Sequence, residues 1–231
     1  RYGEMVTLKW GLQQSNNWIS AYLMSKLNPQ AFVDLLHEYG IRNPEIHPSM
    51  SLCLGPCDIS VGEMASAYTA FVNHGIRASL MFVTKIEDGE GNVIAQFQPR
   101  MNEVISEESA NKMIYMLKSV VDGGTASRLR FKYNLKGDIG GKTGTTNNNS
   151  DAWFMGITPT LVNACWVGGD DRDIHFSSMA MGQGASGALP IFALYMQQVY
   201  KDGQLGYNEN AIFDLPEGYD PCSFVGEALE D

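Results

Sequence analysis

Two apolar, aromatic runs, Ala152 to Thr158 and Leu161 to Val167, stand with only Pro159-Thr160 between them. A link of two residues can reverse a chain but cannot cross over a sheet, so strands joined this way pair antiparallel. Just upstream, Ile139 to Thr145 is short and glycine-rich. Downstream, Pro190 to Tyr200 reads as a closing helix, entered through the loop Met181 to Leu189. Sheet strands are thus expected within 139–168 and a closing helix over 190–201.

The chain ahead of the sheet has a different period. Residues 1–75 read as helical. Asn28 can cap a helix whose first turn takes Pro29. Phe32, Leu35, Leu36 and Tyr39 then recur at helical spacing until Gly40. Ser60-Val61-Gly62-Glu63 is a capping box, followed by the apolar face Met64, Ala67, Tyr68 and Phe71. A hairpin and a helix fill 80–122. Phe82–Ile86 and Val93–Phe97 flank a turn at Asp88 to Asn92. Ser106-Glu107-Glu108 opens a helix carrying Met113, Met116, Leu117, Val120 and Val121, which breaks at Gly123-Gly124. Residues 202–231 are rich in glycine and acids and read as an irregular tail. The fold class is α+β, an antiparallel sheet packed with helices, over residues 1–201.

Charge removes several functions. Sixteen Lys and Arg against 26 Asp and Glu give a net charge of -10, the wrong sign for a nucleic-acid surface or an anionic membrane face. No apolar run approaches the ~18 residues of a spanning helix, so no transmembrane segment is expected in this chain. His37, His47, His74 and His175 are scattered, without metal-ligand spacing. No metal or cofactor is expected. Four cysteines are too few for a disulfide scaffold. Cys53 and Cys57 flank Gly55-Pro56, which leaves a local disulfide and two free thiols both open. Cys165 lies in an apolar strand and is expected to be buried.

Gly140-Gly141-Lys142-Thr143-Gly144-Thr145-Thr146 is the segment with chemistry. Glycines in a strand often mark a close approach to the backbone. A lysine among glycines and threonine hydroxyls makes a cationic ledge suited to a carboxylate or phosphate, or else a plain solvated edge strand. The phosphate loop G-x-x-x-x-G-K-[ST] is excluded. It requires glycine at 136, where Lys136 stands, and a helix afterwards, where Asn147 to Ser150 is turn-like. A second segment, Ser15-Asn16-Asn17, sits between two helical patterns. It can cap the helix near Trp18, or turn a hydroxyl and a carboxamide toward one cleft.

Taken together, S-x-N followed much later by K-T-G is the trailing pair of the set S-x-x-K, S-x-N, K-T-G. On these motifs the chain resembles the C-terminal part of a class A penicillin-binding protein transpeptidase domain. Glu63-Met64-Ala65 with Tyr68 and Phe71, Val120 to Ala126, and Gly141 to Pro159 are similar to that family too. The resemblance implies a penicillin-binding transpeptidase/serine β-lactamase-like fold, incomplete at the N-terminus. It implies catalytic roles for Ser15 and Lys142, and substrate binding by Asn17, Thr143, Gly144 and Thr145. The implied function is a portion of a peptidoglycan cross-linking D,D-transpeptidase, with stem peptides and β-lactam antibiotics as partners. The implied place is the periplasmic side of the inner membrane, anchored through an upstream segment. A non-catalytic peptidoglycan-binding or structural module is the alternative, and a serine β-lactamase the nearest enzymatic rival.

One part of the set is missing. The fourteen residues before Ser15 hold no serine, and the only S-x-x-K string, Ser109-Ala110-Asn111-Lys112, follows S-x-N in the wrong order. Ser109 and Lys112 are expected to be solvated helix residues. The resemblance therefore implies that the nucleophile segment lies in an upstream part of the same protein, and that this chain alone is inactive.

Overall fold

In the computed structural model, which describes residues 3–221, the hairpin forms as its short link requires. Its strands are β6 (Asp151–Ile157) and β7 (Val162–Gly168), antiparallel with Phe154 opposite Cys165. Proline occupies the second position of the turn Thr158 to Leu161, where its fixed φ fits. The Leu161 N–H donates to Thr158 Oγ1 at 3.1 Å and closes that turn. The glycine-rich run is β5 (Gly140–Thr145), antiparallel to β6 with Lys142 opposite Met155. The order is β5-β6-β7, which among the described residues leaves β5 and β7 as edges.

Helices cover both faces of this sheet. In chain order they are α1 (Leu8–Gln13), α2 (Asn17–Met24), α3 (Pro29–Glu38), α4 (Val61–Val72), α5 (Glu107–Gly123), α6 (Arg128–Phe131), α7 (Met179–Gly182) and α8 (Leu189–Lys201). On one face α8 lays Phe192 against Phe154, ring centroids 5.1 Å apart, both fully buried. On the other, Ile157 clusters with Ile114 and Leu117 of α5 and with partly buried Tyr68 and Phe71 of α4. Met24, Val33, Ile41, Ile46, Leu52 and Ala67 form a separate core within the first helices. The helix starts follow their capping residues. Asn28 Oδ1 accepts from the Gln30 N–H, Ser60 and Glu63 cap reciprocally, and Ser106 accepts from the Ser109 N–H.

The middle hairpin differs from its expected extent. It shrinks to β2 (Lys85–Glu87) and β3 (Val93–Gln96), with an irregularity between Ile86 and Glu87. Nearly all its residues are exposed, and a ladder with no face to bury has little to extend it. A second pair brackets it, β1 (Ile76–Ala78) with β4 (Met101–Glu103). Three-residue strands carry too little alternation to be seen in sequence.

Cys165 is buried, while Cys53 and Cys57 are free thiols. Cys222 lies outside the described residues. All four histidines are exposed. Ser109 and Lys112 are exposed on α5, and Lys112 pairs with Glu108 at 2.6 Å. Among the described residues no helix is long and apolar enough to cross a membrane.

Candidate active site

The six residues of α1 end in a crossed pair of backbone bonds. The Ser15 N–H donates to the Leu12 carbonyl at 3.0 Å, and the Asn16 N–H to the Gly11 carbonyl at 2.9 Å. This Schellman closure needs a left-handed residue after the helix, usually glycine. Here the residue is Ser15, at φ +52°. Asn16 starts the next helix at once, its Oδ1 accepting from the N–H groups of Trp18 and Ile19 at 3.0 and 3.2 Å. Capping therefore falls to Asn16. The Ser15 hydroxyl and the Asn17 carboxamide are released from it, and both residues are exposed.

β5 carries the other half of the site. Lys142 Nζ donates to Ser15 Oγ at 2.7 Å, across 127 positions of sequence, and to the Thr143 carbonyl at 2.7 Å. No carboxylate pairs with Lys142 among the described residues. Burial pushes its pKa down from the usual lysine value to about 8. A poorly hydrated ammonium at this value can hold an anion and can also exchange a proton with a neighbouring hydroxyl near neutral pH.

The register decides which backbone groups face outward. The Thr146 N–H donates to the Asp151 carbonyl at 3.1 Å. In an antiparallel ladder bonded and free positions alternate, so the N–H groups of Thr145 and Thr143 point away from β6, to the open edge of β5. The Lys142–Thr143 carbonyl contact obeys the same alternation.

Two threonine hydroxyls are set for an acceptor. Thr145 Oγ1 accepts from the Gly184 N–H at 2.9 Å, so its own proton is free to donate. Thr143 Oγ1 lies 2.8 Å from Thr125 Oγ1. One of these two hydroxyls uses its proton on the other, and the second keeps a proton for a ligand. Gly184 comes this close only because it lacks a side chain. A Cβ there would lie 2.4 Å from the Trp153 carbonyl oxygen and 2.5 Å from that of Gly144. Arg128 ties the same loop to α6, donating to the Ala185 carbonyl at 3.2 Å and to Ser186 Oγ at 2.9 Å.

The structure thus brings Ser15, Lys142, Thr143 and Thr145 to one edge, with Asn17 two residues beyond Ser15 and Gly144 within the ledge. Sequence reasoning missed Thr125 and Gly184 as members. Thr125 lies in the family-like stretch Val120 to Ala126, but nothing in its residue type marks it. Gly184 carries no local signal at all. Among the described residues no group of three or more His, Cys, Asp or Glu is placed to hold a metal ion. The arrangement is an ammonium, a relay hydroxyl and two or three donors beside an open strand edge. It suits acyl transfer on a peptide or amide that ends in a carboxylate.

Comparison with known proteins agrees with this class. Residues 1–171 match the family described as the penicillin binding protein transpeptidase domain. Penicillin-binding protein 1A of Neisseria meningitidis serogroup A is 32% identical over 209 residues, covering 88% of this chain and 26% of that protein. The crystal structure of penicillin-binding protein 1A from Haemophilus influenzae superposes with a TM-score of 0.81 at 26% identity, covering 94% of this chain and 37% of that one. The PonA1 protein from Mycobacterium tuberculosis in complex with penicillin V superposes with a TM-score of 0.70 at 27% identity, covering 93% of this chain and 61% of that one. The chain belongs to the penicillin-binding protein transpeptidase family and is of the class A type. It spans about a quarter of the length of the curated relatives it matches.

Proposed function

We propose that this chain supplies two of the three catalytic segments of a serine D,D-transpeptidase that cross-links peptidoglycan. The observation that carries the reading is the 2.7 Å bond from Lys142 Nζ to Ser15 Oγ, which joins the S-x-N corner to the K-T-G strand. In the reaction a serine from an S-x-x-K segment outside this chain attacks the penultimate D-Ala carbonyl of a stem peptide. The ester forms, the terminal D-Ala leaves as an amine, and a second stem's amine then displaces the serine. Splitting the transfer this way lowers each barrier.

The residues here take defined parts. Ser15 passes a proton to the leaving amine, with Lys142 holding the relay in place. Lys142, Thr143 and Thr145 receive the terminal carboxylate. Asn17 offers its carboxamide to the substrate's peptide bond. Gly144 lets the substrate lie along β5 without a side chain in the way. The Thr145 N–H, free on the open edge, serves as an oxyanion donor, a role worth roughly 3–4 kcal/mol of transition-state stabilisation in other enzymes. β-Lactams acylate the same serine, in keeping with the relative solved with penicillin V. The assembled protein works at the periplasmic side of the inner membrane, held there through an upstream segment.

Labelling with a fluorescent penicillin tests the reading. This polypeptide alone is expected to stay unlabelled, and the same polypeptide joined to an upstream S-x-x-K segment to label covalently. Absence of label on the completed domain would reject catalysis and leave a binding or structural module. Label on the isolated chain would place the nucleophile within it. After acylation, slow release marks a transpeptidase and fast release a β-lactamase.

A further inference from the structure

The turn that closes α5 touches the turn that carries Ser15, and the contact leaves no room. The Thr125 N–H donates to the Gln13 carbonyl at 3.2 Å, and Gln13 Nε2 donates to the Ser119 carbonyl at 3.1 Å. A Cβ on Gly124 would lie 2.3 Å from the Gln13 carbonyl oxygen, 2.8 Å from Gln13 Cγ and 2.9 Å from Val120 Cα. The requirement is space rather than backbone freedom, since Gly124 has an extended φ of -112°. Thr125, the next residue, reaches Thr143 on β5. One short turn therefore touches the Ser15 segment through its backbone and the K-T-G strand through a side chain.

We infer that Gln13 and Gly124 are positioning residues that set the separation between the Ser15 hydroxyl and Lys142. The inference rests on the transpeptidase reading above. Its physical basis is the unequal stiffness of what surrounds Gly124. Val120 and Val121 are fully buried in the main core, so the α5 side cannot yield. Gln13 borders an open cavity of about 520 Å³ lined also by Lys9, Tyr115 and Tyr219, so the α1 side can. A methyl group at 124 must therefore push the Gln13 backbone by on the order of 1 Å to restore normal contact. Ser15 lies two residues past Gln13, in the turn that directly follows a helix of only six residues, and moves with it. Lys142 is paired into the sheet and stays.

The test is made in the completed transpeptidase, with the active fraction titrated so that only folded protein is counted. Saturating β-lactam gives the acylation rate constant, and its concentration dependence gives the pre-covalent affinity. Gly124→Ala is expected to lower the rate constant about 100-fold, as a 1 Å misplacement can, with pre-covalent affinity within about threefold because the β5 donors remain. Gln13→Ala, which removes the Ser119 tether, is expected to lower the rate constant by about fivefold. Gly123→Ala is the internal control. Its Cβ would meet Gln13 Nε2 alone, at 3.1 Å, so it disturbs at most the Ser119 tether and not the Gln13 backbone, and the rate constant should fall by no more than the about fivefold expected of Gln13→Ala. If Gly124→Ala lowers stability but its active fraction acylates at the wild-type rate, or if Gly123→Ala is as damaging, the inference fails. If the completed wild-type domain does not acylate at all, it is the transpeptidase reading that fails.

Discussion

The two halves of the site are built on opposite principles. Lys142 sits in a strand paired residue by residue with β6, and the preceding Gly140 and Gly141 are buried. Ser15 sits in an exposed turn after a six-residue helix, in a backbone conformation that disfavours any side chain. The lysine side is a fixed wall, and the serine side is an adjustable corner held by a few bonds. The lesson is that a hydrogen-bonded pair of this kind is made accurate from one side only. The wall supplies position and charge, and the corner must be pressed into register by its neighbours.

The largest effect should come from damaging the wall. Lys142→Ala in a completed domain is expected to reduce penicillin acylation by about 100- to 1,000-fold, the scale of losing one electrostatic stabiliser. Normal acylation would remove Lys142 from the site. The pH dependence sharpens the same point. Burial lowers the Lys142 pKa to about 8, so the ammonium proposed to attract a carboxylate is lost as pH rises through that value. Acylation should fall on an alkaline limb near pH 8. Lys142→Arg should push that limb out of range, because a guanidinium does not deprotonate there. The sign for stability is opposite. A lysine with a lowered folded-state pKa binds its proton less well folded than unfolded, so its burial cost is full below pH 8. That cost is relieved as pH climbs from about 8 toward the ordinary lysine value.

A smaller effect is expected where wall and corner meet. Thr125→Val keeps the shape but removes the hydroxyl next to Thr143. Acylation should drop roughly tenfold, the scale of one hydrogen bond. An unchanged rate would make the contact purely structural. Ser15→Gly separates function from strain at the corner. Glycine relieves the left-handed conformation, so thermal unfolding should show a gain of about 1 kcal/mol, while acylation falls for want of the relay hydroxyl. A loss of stability would mean that the Lys142–Ser15 bond outweighs the strain. The smallest change belongs to Ser109→Ala and Lys112→Ala. These exposed α5 residues should alter stability by less than about 0.5 kcal/mol and acylation not at all. A large effect on acylation would revive Ser109-Ala110-Asn111-Lys112 as a catalytic segment.

Much of the fold was legible because its signals are local. The capping box at Ser60, the Asn28-Pro29 start, the break after α5 and the Pro159-Thr160 turn each act within a few residues, and each element formed there. The exposed β2–β3 hairpin was overread, because β-branched and aromatic residues suggest strands even where no core receives them. The β1–β4 pair was missed because its partners lie far apart in the chain. At the site, Ser15 and Lys142 were legible through ordered motifs. Thr125 and Gly184 were not, since a threonine after a helix and a glycine in a loop are ordinary until something approaches them.

From residue order alone came the kinds of element, their caps and turns, and two motif segments whose order resembles that of a penicillin-binding transpeptidase. These depend on short-range sterics and hydrogen bonding, which the adjacent residues specify. Folding in three dimensions decided which hydroxyl meets which ammonium, how dry that lysine becomes, which edge of β5 stays open, and that a glycine after α5 presses on the turn bearing Ser15. Those outcomes depend on distances between residues more than a hundred positions apart, and on water excluded by elements that no local pattern brings together.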